Sequence, residues 1–155
     1  MRLIILGLCV VVLSACASTE RTTTPQFGGA LSAIPASGLG PQTLAPGECG
    51  LFLWSKTDLT KFIFFSRAQT GTALYNQGGD AVSLTQTTAG GDIFGQFNTV
   101  MGYSGAAGTR VDLEYEPGEE LEGGQRIDEG LITVTDAEGW RTKLPVLGVR
   151  ACQAE

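Results

Sequence analysis

Chemistry in this chain has to come from thiols and carboxylates, because its 155 residues include no histidine. The thiols are Cys9, Cys16, Cys49 and Cys152. A thiolate is a nucleophile and a metal ligand. Two thiols in an exported domain can also join to each other. The carboxylates gather between residues 112 and 129: Asp112, Glu114, Glu116, Glu119, Glu120, Glu122, Asp128 and Glu129, with Arg110 and Arg126 nearby.

Each chemistry these groups could perform makes a demand. Calcium needs clustered oxygen ligands, but the acidic spacing matches no EF-hand loop. Glycoside hydrolysis needs two carboxyls at a defined separation, one of them desolvated, and a run of solvated glutamates does not suggest that. Nucleophilic catalysis lacks a histidine base. The pair Gly90-Gly91 lacks the strand-to-helix setting of a phosphate loop. The sequence therefore predicts no enzyme, no cofactor and no metal site, with a peptidoglycan-acting hydrolase as the remote alternative. The acidic stretch is read as a solvated edge or as a contact surface for a basic partner, with Glu116, Glu119, Glu120 and Glu122 as its candidate residues.

The first residues read as an address. Arg2 supplies a positive start, and residues 3–13 are apolar and uncharged. That run is too short to span a bilayer, which takes about 20 apolar residues. Small residues Ser14 and Ala15 precede Cys16, in the pattern of a cleaved signal peptide over residues 1–15. An ordinary signal peptide cut at or after Ala15 is the plain alternative. The four residues Leu13-Ser14-Ala15-Cys16 resemble the lipobox of bacterial lipoproteins. The resemblance implies that Cys16 takes a diacylglycerol through a thioether and, once it is the new N-terminus, a further acyl chain such as palmitate on its amine. One chain anchors marginally, since each buried methylene contributes about 0.8 kcal/mol, whereas two or three hold firmly. Ala17 stands where such lipoproteins carry Asp for inner-membrane retention. The implied place is the outer membrane, with the domain in the periplasm.

Cys49 and Cys152 remain, one near each end of the expected domain. Their pairing would close a loop of about 100 residues and contribute up to about 4.7 kcal/mol in the chain-entropy account. The alternatives are two free thiols or a metal site, for which two distant cysteines without histidine make a poor motif.

The whole chain carries 10 Lys and Arg against 16 Asp and Glu, a formal net charge of −6. Removing residues 1–15 takes away Arg2 alone, so the remainder is one unit more negative. An acidic surface repels phosphate backbones, which argues against nucleic acid. It suits a basic protein partner or another envelope component better.

Residues 16–46 read as the lipidated end and a flexible linker, broken by Pro25, Pro35, Pro41 and Pro46 and by Gly28-Gly29, Gly38 and Gly40. Phe27, Leu31, Ile34 and Leu39 are its scattered apolar residues. Residues 47–155 read as an all-β domain. Strands are expected at 50–55, 61–66, 72–76, 81–85, 96–103, 110–116, 131–135 and 140–147, with a Gly-rich connection at 89–95 and a charged loop at 117–130. The clearest is 110–116, where Val111, Leu113 and Tyr115 alternate with charged residues. About eight short strands without an amphipathic helix predict a small antiparallel barrel or sandwich. If the strands bearing Asp112 and Glu114 and those bearing Arg141 and Lys143 are neighbours, their charges pair across the sheet.

The first two strands are apolar on both faces, with Phe52, Trp54, Phe62, Phe64 and Phe65 close together. One of those faces is surplus to a single core. It could line a pocket, receive the linker or form an interface, with Trp54 and Phe64 as its candidates. In lipobox, linker, strand number and cysteine placement the chain resembles membrane-bound lysozyme inhibitors, small lipoproteins built on a β-barrel. That resemblance implies an inhibitory loop, for which Ser104-Gly105-Ala106-Ala107-Gly108 is a loose match. The expectation is a non-enzymatic envelope lipoprotein that binds or scaffolds another envelope component, with periplasmic lysozyme inhibition as the alternative.

Overall fold

The computed structural model describes residues 38–155. The expected leader, the lipidation residue Cys16 and the linker up to residue 37 lie outside the described residues. The strands are β1 (Cys49–Ser55), β2 (Phe62–Arg67), β3 (Thr72–Gln77), β4 (Asp80–Phe94), β5 (Phe97–Gly105), β6 (Arg110–Leu121), β7 (Gly124–Thr135) and β8 (Arg141–Cys152). They form a closed antiparallel barrel in chain order, with β8 returning to β1. The expected all-β class is present, and it is a barrel rather than a sandwich.

Alternation puts the core inside. Val111, Leu113 and Tyr115 on β6 are buried and the charges between them face out, as their spacing predicts. Leu51, Leu53, Phe64, Tyr103, Ile132 and Val146 join them in one interior cluster. The run Phe62–Phe65 cannot alternate simply, because four large apolar residues must be divided between two faces. A register shift opposite Leu53 and Trp54 solves this: Ile63 has no partner in the β1 ladder, and both Ile63 and Phe64 enter the core. Phe62 and Phe65 are left on the outside.

Closure leaves two ends. The connections 56–61, 78–79, 106–109 and 136–140 lie at one, here the loop end. Cys49 and Cys152 lie opposite each other at the other, where they are bonded. The turns at Gly95-Gln96 and Glu122-Gly123 share this disulfide end. Arg150 points inward there, its guanidinium 5.2 Å from the centre of the Phe94 ring. Gly95 is required beside it: its φ is +60°, and a Cβ would lie 2.8 Å from Arg150 Nη1.

Several boundaries differ from the sequence expectation. The Gly-rich stretch 89–94 is the end of β4, with shifts at Gln86/Thr88 and Gly90/Ile93 absorbing its extra residues. The expected charged loop 117–130 is a hairpin arm: β6 runs on to Leu121, β7 starts at Gly124, and Pro117 sits at a bulge where its missing N–H is tolerated. Backbone pairing does not depend on side-chain polarity, so a run of glutamates hid a strand. The expected pairing of Asp112 and Glu114 with Arg141 and Lys143 is not made, because β7 lies between: Asp112 faces Thr133, which faces Lys143. Trp140 precedes β8 and is 77% exposed, so it does not continue the alternation of Thr142 and Leu144.

Residues 38–48 cross the outside of β2 and then enter β1. The Leu39 N–H donates to the Phe62 carbonyl (2.6 Å). Arg67 donates to Glu48 Oε2 (2.6 Å) and to the Thr43 carbonyl (3.0 Å). Leu39 and Leu44 pack on Phe52, Trp54, Phe62, Phe65 and Leu74. The last part of the expected linker is therefore a strap over the surplus aromatic face.

Candidate functional site

The candidate residues of the sequence do not gather in one place. Phe64 leaves the candidate surface altogether. It is 0% exposed and stands edge-on to Tyr103 inside the barrel, 5.4 Å between ring centres. The shift at Ile63 explains the error, because strict alternation cannot foresee two successive inward side chains. Trp54 faces outward and is half-buried, stacked on Phe62 with ring centres 5.0 Å apart. It also borders an apolar groove of about 360 Å³ with Leu121, Leu147 and Val149. Cys49 and Cys152 are joined at the disulfide end and carry no free thiol chemistry.

The acidic candidates divide. Glu119, Glu120 and Glu122 are exposed on the β6–β7 arm. Glu116 lines a groove of about 410 Å³ on the barrel wall. Its partners there are Glu114 on the same strand, Glu129 on β7 and Asp92 at the glycine-rich end of β4. Val100, Pro117 and Leu131 give the groove apolar surface between the carboxylates. Glu116 and Glu129 are directly paired across β6 and β7. Like charges that close repel each other, and Lys56 relieves part of the repulsion, with its Nζ 3.2 Å from Glu129 Oε1.

Sequence reasoning missed Asp92, because it sat in a stretch read as a connection, and Glu129 as part of a site, because 117–130 was read as loop. The available signal was period two: Glu114 and Glu116 share a face only as long as the strand persists. Four outward carboxylates around apolar side chains can accept hydrogen bonds from ammonium or guanidinium groups while covering an aliphatic stem. Among the described residues, no group of three or more metal-ligating side chains is placed to hold an ion.

The interior polar groups serve the core. Tyr103 O–H and Ser66 Oγ lie 3.2 Å apart, and burial pushes the phenol up to about 12. Burial raises Tyr115 as well, with Tyr103 adding to the shift and Arg150 opposing it. On the strap, the Ala45 N–H and the Arg67 guanidinium hold Glu48 below the usual carboxylate range.

The loop Ser104–Gly108 is exposed at the loop end. Its Ala107 has a φ of +54°, a left-handed conformation that costs a non-glycine residue about 1 kcal/mol or more. Comparison with family models, with curated proteins and with solved structures finds no match for this chain.

Proposed function

We propose that this protein is a non-enzymatic binding module of the bacterial envelope, held on a membrane through lipid at Cys16, whose barrel wall receives a basic segment of another envelope component. The observation that carries the binding reading is the groove of Asp92, Glu114, Glu116 and Glu129 around Val100, Pro117 and Leu131. The interior is filled by large side chains, so recognition falls to the outer surface. The anchor rests on the Leu13-Ser14-Ala15-Cys16 sequence, and the oxidised Cys49–Cys152 pair fits an exported protein. Ala17 favours the outer membrane, with the domain in the periplasm.

The test uses the full chain and a lysine- and leucine-containing peptide. Binding should weaken as salt rises and fall by roughly tenfold in a Glu114→Gln, Glu116→Gln, Glu129→Gln variant, as expected for charge-assisted contacts. Equal binding by variant and wild type would remove the groove from the reading. Crosslinking in envelopes then identifies the partner. Separately, Cys16→Ala should free the domain from membranes without unfolding it.

A second reading, lysozyme inhibition, is favoured by the exposed, left-handed Ala107 in Ser104–Gly108, since strain of this kind gathers at functional loops. Unchanged cell-wall lysis by lysozyme at excess full chain would dismiss it.

A further inference from the structure

We infer that the loop end of the barrel, through Trp140 and Leu59, rests in the headgroup region of the lipid surface that holds Cys16. The inference builds on the lipid-anchor reading above and adds an orientation and a contact surface to it.

Three observations meet at that end. Trp140 is 77% exposed and Leu59 is 62% exposed, and both belong to loop-end connections. The backbone of Trp140 is fixed: its main-chain N–H donates to Asp136 Oδ1 (2.8 Å), and its carbonyl accepts from the Asp136 N–H (3.1 Å), while the indole makes neither bond. An indole presented in this way suits the membrane–water interface, where tryptophan is enriched. The chain also joins the barrel at this end. Gly38 lies against Lys61 and Phe62 at the start of β2, and the strap runs from there toward the disulfide end. The described residues therefore begin at the loop end.

Charge separates the two ends. Exposed apolar residues also occur near the disulfide end, at Ile93 and Leu121, but there Ile93 follows Asp92, and Leu121 stands between Glu120 and Glu122. Pressing those carboxylates against an anionic lipid surface costs both desolvation and repulsion. At the loop end Arg110 and Arg141 both pair with Thr135 and share its outward face, and Lys143 follows on the same face. Asp58 there is 3.4 Å from Lys61. Asp136 and Glu138 share the turn with Trp140, and Arg141 follows directly. This end is the less acidic of the two and meets phosphate headgroups at lower cost. Among the described residues no helix is long and apolar enough to cross a membrane, and the contact needs none.

The experiment places the full lipidated chain on vesicles of phosphatidylethanolamine and phosphatidylglycerol with brominated acyl chains. A Trp54→Phe chain reports Trp140 alone, and its emission should fall by about half, as for an interfacial indole. A Trp140→Phe chain reports Trp54, which should stay near its value on unbrominated vesicles. Should Trp54→Phe not fold, the difference between wild type and Trp140→Phe gives the same reading. Floated protein whose Trp140 is unquenched overturns the orientation and leaves the anchor standing. Wild-type protein that does not float overturns the anchor instead. In that case a Cys9→Ser chain coupled through Cys16 to maleimide-headgroup lipid is read in the same way, and quenching or its absence still decides the orientation.

Discussion

The outer wall of β1, β2 and β3 and the outer wall of β6, β7 and β8 enclose the same core and meet solvent differently. On the first wall Phe52, Trp54, Phe62, Phe65 and Leu74 face outward, and residues 38–44 lie across them. On the second the outward positions include Asp112, Glu114, Glu116, Arg141 and Lys143, all exposed, with Leu131, Leu147 and Val149 half-buried among them. An apolar outer face removes so much surface from water when covered that it recruits a segment to cover it. A charged outer face has no such requirement, which leaves it free to carry a groove for a partner. The barrel thus uses one wall to fix its own preceding chain and keeps the other open.

The seam where the walls meet gives the largest expected effect. β1 and β8 join them, and the Cys49–Cys152 bond locks that seam over a sequence separation of 103. Replacing both cysteines by alanine should lower the unfolding free energy by about 2–5 kcal/mol. Denaturant titration of the full chain measures it. A loss well below that range would mean that strand pairing alone closes the seam.

Removing the cover comes next. Leu39→Ala with Leu44→Ala should cost about 2 kcal/mol, toward the low end for leucine truncation because the strap is packed on one side only. Emission of Trp54 should shift toward the solvated value. Gly50 offers a complementary probe: a Cβ there would lie 2.9 Å from Leu44 Cδ2, 2.9 Å from Phe52 Cε2 and 3.0 Å from Phe65 Cε2, so Gly50→Val should disturb the strap and the rings beneath it while leaving the inward face of β1 alone.

A pH titration sharpens the same contrast. Glu48 is held below its ordinary carboxylate value by the Ala45 N–H and Arg67. A depressed carboxylate stabilises the fold above its unfolded value of 4.5, and that contribution is lost as pH falls through the lower folded value. The protection of the Leu39 amide, its exchange relative to the intrinsic rate at the same pH, should therefore fall below about pH 4.5, and Glu48→Gln should remove that loss.

The smallest effect belongs to the open wall. Glu116→Gln should change stability by less than about 0.5 kcal/mol, as for exposed positions with no packing role. A loss of several times that would show that the groove is part of the fold rather than a surface laid on it.

The acidic wall also shows where reading the sequence stopped short. Alternation of Val111, Leu113 and Tyr115 located β6, but the same rule stopped at Glu116, because beyond it no apolar residue continued the inward face. The strand continues on backbone hydrogen bonds that side-chain pattern does not report. Asp92 was hidden for a related reason, since glycine lowers strand propensity yet is accommodated at the β4 shifts.

By itself the sequence determined the all-β class, the inward residues of the strands with clean alternation, and an apolar excess in the first two strands, and it offered Cys49 and Cys152 as a pair without excluding free thiols. All of these follow from local periodicity, composition and residue chemistry. Only the tertiary structure decided that Ile63 and Phe64 both turn inward, that β7 separates Asp112 from Lys143, that the strap covers the aromatic wall, and that Asp92 and Glu129 join Glu114 and Glu116. Each of these depends on which strand lies beside which and in what register, and the barrel fixes that only when it closes.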